Sequence, residues 1–247
     1  MSELIYGKNS LLEALRGNNA DYFESVYLLK KDNDVISLCE SKKIKYKITS
    51  KEEFNKLLKQ KGEVNHQGFL AFTKEYEYYE LGEIVSSDND SLIVALDGLE
   101  DPHNLGAIVR TCEIAGASGI ILPKNRSVRV TPTVAKVSTG ATEYVKIAQV
   151  TNLVSALKEL KKQGYWIVGA EAGESSTNFW NVDYKMKVCL VIGSEGRGVS
   201  RLVKEECDYL VEIPMWGKVN SLNASVSCGI LIYEIRRQQR TENNARH

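Results

Sequence analysis

The sequence predicts an α/β fold: a C-terminal domain on a mostly parallel sheet, preceded by a small N-terminal α/β domain. Three observations predict it. From residue 91 onward, short apolar runs alternate with helix-like amphipathic stretches, the pattern of strand-helix-strand units. Runs such as "SLIVALDGL" and "KVCLVIG" are apolar at consecutive positions, as strands covered on both faces are. The acidic, polar segment "KEYEYYELGEIVSSDND" then sets that region apart from what precedes it. The expected organisation is therefore a domain over residues 1–73, a linker over 74–90, and a second domain over 91–240.

In the first domain, "NSLLEALRG" places Leu11, Leu12 and Leu15 at helical spacing, with Asn9 as a candidate N-cap and Gly17 as the stop. "SVYLLK" reads as a strand, "DNDVISLCESKK" as a helix and "IKYKIT" as an alternating strand. "SKEEFNKLLKQ" begins like a capping box, Ser50 followed three residues later by Glu53, and "GFLAFT" reads as the last strand. Lys42, Lys43, Lys45 and Lys47 form a basic cluster that suits either solvent or a polyanion.

In the second domain the strands are "SLIVALDGL", "GIILP", "VKIAQV", "YWIVGAEA", "KVCLVIG" and "DYLVEIPM". Between them lie helices expected from Asn104 to Ala115, in "TPTVAKVST", in "NLVSALKELKKQG" closed by Gly164, and in "SRLVKEEC". A long helix from Ser221 to Arg237 follows, and the polar tail "RTENNARH" ends the chain. Parallel sheets of this kind bind ligands at the carboxyl ends of their strands, so the loops that follow the strands are where chemistry belongs.

Composition narrows the classes. No run approaches the roughly 18–20 apolar residues that span a bilayer, and "MSELIYGKNS" lacks the basic start and apolar core of a signal peptide. Five widely spaced cysteines without a C-x-x-C pair argue against a disulfide framework and fit a reducing cytoplasm. With three histidines, one of them terminal, no metal centre is expected. A net charge of zero argues against general charge-driven nucleic-acid binding but permits a local basic patch that reads RNA shape.

Three loops carry candidate chemistry. In "DGLEDPHNLGAIVRTCEIAGA", Asn104 is either a helix N-cap or a site residue. Arg110, flanked by Ala107, Ile108, Val109 and Cys112, reads as an arginine embedded among apolar neighbours and suited to a phosphate. In "VIGSEGRGVS", Gly193, Gly196 and Gly198 follow a buried strand and allow close backbone approach, with Glu195 among them. Their G-x-x-G-x-G order, late in the chain, disfavours a dinucleotide-binding oxidoreductase. In "EIPMWGKVNSLNASVSCGI", Asn220 or Ser221 can cap a helix of small residues, next to a polar Ser-x-Asn at the mouth of a pocket.

Together these loops resemble the signature motifs of the SpoU (TrmH-like) RNA 2'-O-ribose methyltransferases. They comprise N-x5-R after the first strand, "GSEGRG" after a later one and "IPM…SLNASVS" at the end, covering about residues 90–238. "IYGKNSLLEAL" and "HQGFLAF" resemble the substrate-binding domain of the branch that methylates a guanosine in 23S ribosomal RNA; a neighbouring branch modifies tRNA. The resemblance implies a deep trefoil knot of the SPOUT type and a homodimer whose subunits share the active-site region. It implies S-adenosyl-L-methionine (SAM) as cofactor, with its adenine held by main-chain groups near Gly193, Ile213 and Leu222, and Gly196, Met215 and Asn223 close by. It assigns Arg110 to activation of the ribose hydroxyl, with Asn104, Glu195, Ser221 and Asn223 as its catalytic companions. A guanidinium is a poor base, so Arg110 as proton acceptor and Arg110 as clamp on the ribose or its phosphate are both open. The implied partner is RNA, ribosomal in preference to tRNA; a catalytically silent RNA-binding protein on the same fold is the alternative from another class.

Overall fold

The computed structural model describes residues 3–16, 22–58, 66–173, 175–219 and 221–240. The chain divides into two compact units, Met1–Glu77 with Thr131–Gly140, and Tyr78–Val130 with Ala141–His247.

The first unit holds strands β1 (Glu3–Tyr6), β2 (Phe23–Leu28), β3 (Tyr46–Ile48) and β4 (Phe69–Thr73), and helices α1 (Lys8–Arg16), α2 (Asn33–Ser41) and α3 (Lys51–Leu58). Its sheet order is β1-β4-β2-β3, with only β2 and β3 parallel. Strand alternation sorts the side chains: Phe69 and Ala71 of β4 pack with Leu11 and Leu15 of α1 and Val35 and Cys39 of α2, whereas Leu70 packs with Phe54 and Leu58 of α3. Helix α1 begins one residue before Asn9, and the Gly7 carbonyl accepts from Leu11 N–H, so Asn9 is inside the helix and not its cap. Gly17, the expected stop, lies outside the described residues. At α3, Ser50 Oγ accepts from Glu53 N–H at 3.3 Å, but Glu53 turns to Lys47 instead of closing the box. Lys47 of the basic cluster is thereby ion-paired at 2.6 Å. Strand β1 is the element that the sequence reading missed; four residues are too few for a period to show.

The second unit contains α4 (Leu81–Ile84), β5 (Leu92–Asp97), α5 (Pro102–Ile114), β6 (Gly119–Pro123), β7 (Ile147–Val150), α7 (Leu153–Lys162), β8 (Trp166–Ala170), β9 (Thr177–Asn178), β10 (Val188–Gly193), α8 (Arg201–Lys204), β11 (Tyr209–Glu212) and α9 (Ala224–Arg240). Helix α6 (Pro132–Val137) falls between β6 and β7 in sequence but belongs to the first unit. The seven strands run parallel in the order β7-β6-β5-β10-β8-β11-β9. Ile93, Ala95, Ile121, Cys189 and Val191 pack with Leu153, Leu157 and Leu160 of α7 and Val203 of α8 on one face. Helices α5 and α9 pack on each other and against β6 and β10. Ile84 of α4 enters the core, and Tyr79 bridges to Ala148 of β7.

Two helix starts differ from expectation. Asp101, not Asn104, caps α5, its carboxylate accepting from His103 and Asn104 N–H. Asn223, not Ser221, starts α9: its Oδ1 accepts from Ser225 N–H at 2.9 Å and its carbonyl from Ser227 N–H; Asn220, the other candidate, lies outside the described residues. Asp and Asn are both strong caps, and in each case the cap is the residue immediately before the first helical residue, whereas Asn104 lies inside the first turn of α5. Near the other end of α9, buried Arg236 donates from Nε to the Ala115 carbonyl and from Nη1 to the Asp90 carbonyl. Burial lowers its pKa from 12.5 to about 10, with Arg240 adding to the effect.

Candidate active site

The site is assembled at the carboxyl ends of β5, β8, β10 and β11. The chain leaving β10 makes a tight turn in which Ser194 N–H donates to the Gly198 carbonyl at 3.1 Å and Gly198 N–H returns to the Ser194 carbonyl at 2.9 Å. A Cβ on Gly193 would lie 2.1 Å from the Gly198 carbonyl carbon. Gly193 is therefore required so that the turn can fold back onto its own strand; the close backbone approach expected of a ligand is made here by the protein. Gly198 has φ +65°, and a Cβ there would sit 2.4 Å from Glu171 Oε2.

Two strand-end carboxylates hold this turn. Glu171, just past β8, accepts from Val199 N–H at 2.9 Å and pairs with Lys204. Asp97, the last residue of β5, accepts from Ser200 N–H at 2.6 Å. Neither was singled out from the sequence. The available signal was an acidic residue where an apolar strand runs out, in "VALD" and "VGAE".

The turn presents Glu195 to two amides from different helices. Asn104 Nδ2 donates to Glu195 Oε1 at 2.9 Å. Asn223 Nδ2 donates to the same oxygen at 3.0 Å and to Asn104 Oδ1 at 2.8 Å. Residues 91 and 119 positions from Asn104 thus meet in one hydrogen-bonded triangle. Asn104 is 5 % exposed with both amide atoms engaged. Asn223 does double duty, since its Oδ1 caps α9 while its Nδ2 joins the triangle.

A cavity lies on each side of Glu195. The first, about 540 Å³, is lined by Gly193, Gly196, Ile213, Met215, Leu222 and Asn223, and also by Glu195 and Ser221. The second, about 680 Å³, is lined by Asn104 and again by Glu195. Of the ten residues that the resemblance assigns to the site, Arg110 alone lines neither. It is exposed on α5, while Leu105, Ile108, Val109 and Cys112 form the buried stripe. The expectation of an arginine embedded among apolar side chains is thus corrected: its sequence neighbours are apolar, but helical spacing turns them inward and Arg110 outward.

All five cysteines are free thiols, and burial pushes Cys228 up to about 12 and Cys39 up to about 11, so they stay protonated. Among the described residues no cluster of His, Cys, Asp or Glu suits a metal ion, and no helix is long and apolar enough to cross a membrane.

Comparison with known proteins accords with this architecture. Residues 91–233 match the SpoU rRNA Methylase family, and residues 4–79 match the RNA 2'-O ribose methyltransferase substrate-binding domain. The chain is 41% identical over 244 residues to YacO of Bacillus subtilis and 43% identical over 243 residues to a relative from Staphylococcus saprophyticus, each alignment covering 96% of both chains. Both relatives carry the name TrmH family tRNA/rRNA methyltransferase. The SpoU methyltransferase AviRb from Streptomyces viridochromogenes, solved in complex with the cofactor AdoMet, shares the fold at 21% identity with a TM-score of 0.65, covering 97% of this chain and 91% of that one. The A. aeolicus TrmH/SpoU tRNA modifying enzyme is 36% identical with a TM-score of 0.57 over 66% of this chain and 81% of that one. The chain belongs to the SpoU rRNA methylase family.

Proposed function

We propose that this protein is a SAM-dependent methyltransferase acting on the ribose 2'-hydroxyl of a guanosine in 23S ribosomal RNA, working in the cytoplasm. The observation that carries the reading is the Asn104–Glu195–Asn223 triangle at the wall of the first cavity, built from all three signature loops. The cavity fits SAM. Its volume lies within the range of small-molecule sites. Ile192, Met215, Leu222 and Leu231 offer apolar surface for an adenine, and the main chain around Gly193, Ile213 and Leu222 offers polar groups for its edge. The carboxylate of Glu195 complements a cationic sulfonium. SAM bound there supplies an electrophilic methyl group.

The chain's own residues do the rest. Asn104 and Asn223 hold the Glu195 carboxylate in one orientation, so the wall between the cavities is fixed before substrate arrives. Ser221 lines the same cavity. Arg110 clamps the ribose or its phosphate and stabilises the developing alkoxide.

Since Arg110 lies outside its own chain's cavities, the reading includes a homodimer in which Arg110 serves the partner's site. An exposed apolar face supports this: Val226, Ile230 and Tyr233 at helical spacing on α9, 49, 36 and 53% exposed, with Ile114 of adjoining α5 at 61%. The reading also takes residues 1–73 as the RNA-binding domain, 74–90 as linker and 91–240 as the methyltransferase domain. In that domain the chain after β10 follows a trefoil-knotted SPOUT path, an exception to the rule against knots. The substrate-binding domain match over residues 4–79 favours ribosomal RNA over the simpler tRNA enzymes, and exposed Lys43 and Lys45 offer it basic contacts.

Tritiated SAM incubated with separated, unmodified ribosomal RNA and tRNA tests the target. Label in 23S RNA is expected. Label confined to tRNA would replace the target, and tight RNA binding without label would leave a silent RNA-binding protein.

A further inference from the structure

The triangle has a cavity on each side, and the reading above uses only one. The second cavity opens over the carboxyl ends of β5, β6 and β10, where parallel α/β sheets take their ligands. At about 680 Å³ it has room for a ligand larger than an ion or a water cluster. Its lining divides by chemistry. Leu99, Pro123, Leu153 and Val203 supply an apolar wall, and Asn125, Arg126, Asn152 and Arg197 a polar mouth. Of the four lining carboxylates, three are engaged: Asp97 by Ser200 N–H, Asp101 by His103 and Asn104 N–H, and Glu195 by the two amides; Glu100 is exposed at the rim and makes no hydrogen bond or ion pair to the described residues. The two arginines are exposed and make no hydrogen bond or ion pair to the described residues.

Arg126 is also conformationally unusual. Its φ is +54°, in the left-handed region where glycine or asparagine sits at less cost. The loop keeps an arginine there although the position favours a residue without a Cβ. Arg197 stands on the Ser194–Gly198 turn, between two glycines of positive φ.

We propose that the second cavity receives the target nucleoside of the RNA, lifted out of its stack, while Arg126 and Arg197 hold the phosphates on either side of it. The proposal rests on the assignment of the first cavity to SAM. Both cavities share Ser194, Glu195, Arg197 and Gly198, so a nucleoside in one abuts the methyl donor in the other. An apolar wall suits the faces of a base, and guanidiniums suit phosphate oxygens. Extracting one nucleotide costs stacking energy, which fixed phosphate contacts on both sides offset.

Arg126→Gly is the informative variant, because it removes the guanidinium and at the same time relieves the backbone, so the fold is retained. Binding of a large-subunit ribosomal RNA transcript is measured at several salt concentrations for wild type, Arg126→Gly and Arg197→Ala, with SAM affinity measured separately by calorimetry. Each variant is expected to bind RNA about 10-fold more weakly, with a log–log salt slope shallower by roughly 0.7–0.9 per lost phosphate contact, and Arg126→Gly, whose side chain lines the second cavity alone, is expected to keep its SAM affinity. In Leu202→Trp a half-exposed side chain on the cavity lining is enlarged. It is expected to lower kcat/KM for RNA about 10-fold or more without changing SAM affinity. Unaltered RNA affinity and salt slope in both arginine variants would overturn the phosphate contacts, and normal turnover by Leu202→Trp would overturn nucleoside occupancy. A loss of SAM affinity in Arg126→Gly would give the second cavity to the cofactor and overturn the proposal. If instead the arginine variants lose RNA as expected but the wild type transfers no methyl, the cavity stands and the proposed reaction fails.

Discussion

At the scale of single residues, Asn223 and Gly198 are the most exposed to test. Asn223 caps α9 through Oδ1 and ties Asn104 to Glu195 through Nδ2. Asn223→Ala loses both, and is expected to cost about 1 kcal/mol of stability together with a clear loss of SAM affinity. Asn223→Asp separates the two roles: the carboxylate still caps the helix, but it sets a second negative charge against Glu195. Retained capping of α9 with impaired SAM binding is therefore expected, the stability loss coming from the triangle alone, and normal binding by Asn223→Asp would deny the triangle a role. Gly198→Ala forces a Cβ onto Glu171 Oε2 at positive φ. It is expected to destabilise by about 1–3 kcal/mol in denaturant titration and to disorder the turn that lines both cavities. Arg110→Ala should abolish methyl transfer with SAM affinity intact; full turnover would remove it from the chemistry. The three loops stood out in the sequence by residue type and position after strands, whereas the list of site residues came from their resemblance to family motifs; the structure brings nine of those ten residues to the two cavities. The N-cap choices were not legible, because Asp101 beside Asn104, and Asn223 beside Asn220 and Ser221, are equivalent candidates until the first helical turn is fixed. Glu171 was invisible because its partners, Val199 and Lys204, come from two elements further along the chain.

At the scale of elements, the two helices of the exposed apolar face make the sharpest prediction. Ile230→Glu places a charge in the middle of the Val226–Tyr233 stripe without touching the core side of α9. Sedimentation should show a monomer whose methyl transfer is lost, since each site would lack its partner's Arg110; an active monomer would contradict the shared site. In the first unit, Lys8 of α1 reaches Asp32, the cap of α2, at 2.6 Å. The hydrogen bond from Lys8 chiefly lowers the Asp32 pKa below 3.8, against the opposing effect of burial. The folded state thus holds this proton less readily than the unfolded chain. The stabilisation is present above the ordinary aspartate range and is lost as pH falls through the depressed value. Asp32→Asn should flatten that part of the acid unfolding curve of α1 and α2; an unchanged curve would mean that the pair contributes nothing. Strands of the parallel sheet were readable as continuous apolar runs because both of their faces are covered. Strand β1 was not, because four residues at a sheet edge carry too little pattern, and β9 is shorter still at two.

At the scale of the whole molecule, the parallel sheet gathers three loops that are up to 119 residues apart onto one end and leaves a cavity on each side of Glu195. Alternating strands and helices predicted that sheet, and the carboxyl-end rule predicted where the loops would meet. Strand order was beyond the sequence, because nothing in local pattern places β10 between β5 and β8. Helix α6, which belongs to the first unit although it lies within the second in sequence, was equally unreadable, since unit membership is decided by packing and not by position. The central claim is that this fold methylates a ribose oxygen. A 2'-O-methyl group removes the nucleophile that alkali uses to cleave the neighbouring phosphodiester. The most direct measurement is to label ribosomal RNA with tritiated SAM and this protein and then hydrolyse the product completely in alkali. The account predicts that the label is recovered in an alkali-resistant dinucleotide with guanosine at its 5' side. Label released in mononucleotides would place the methyl on a base and contradict it.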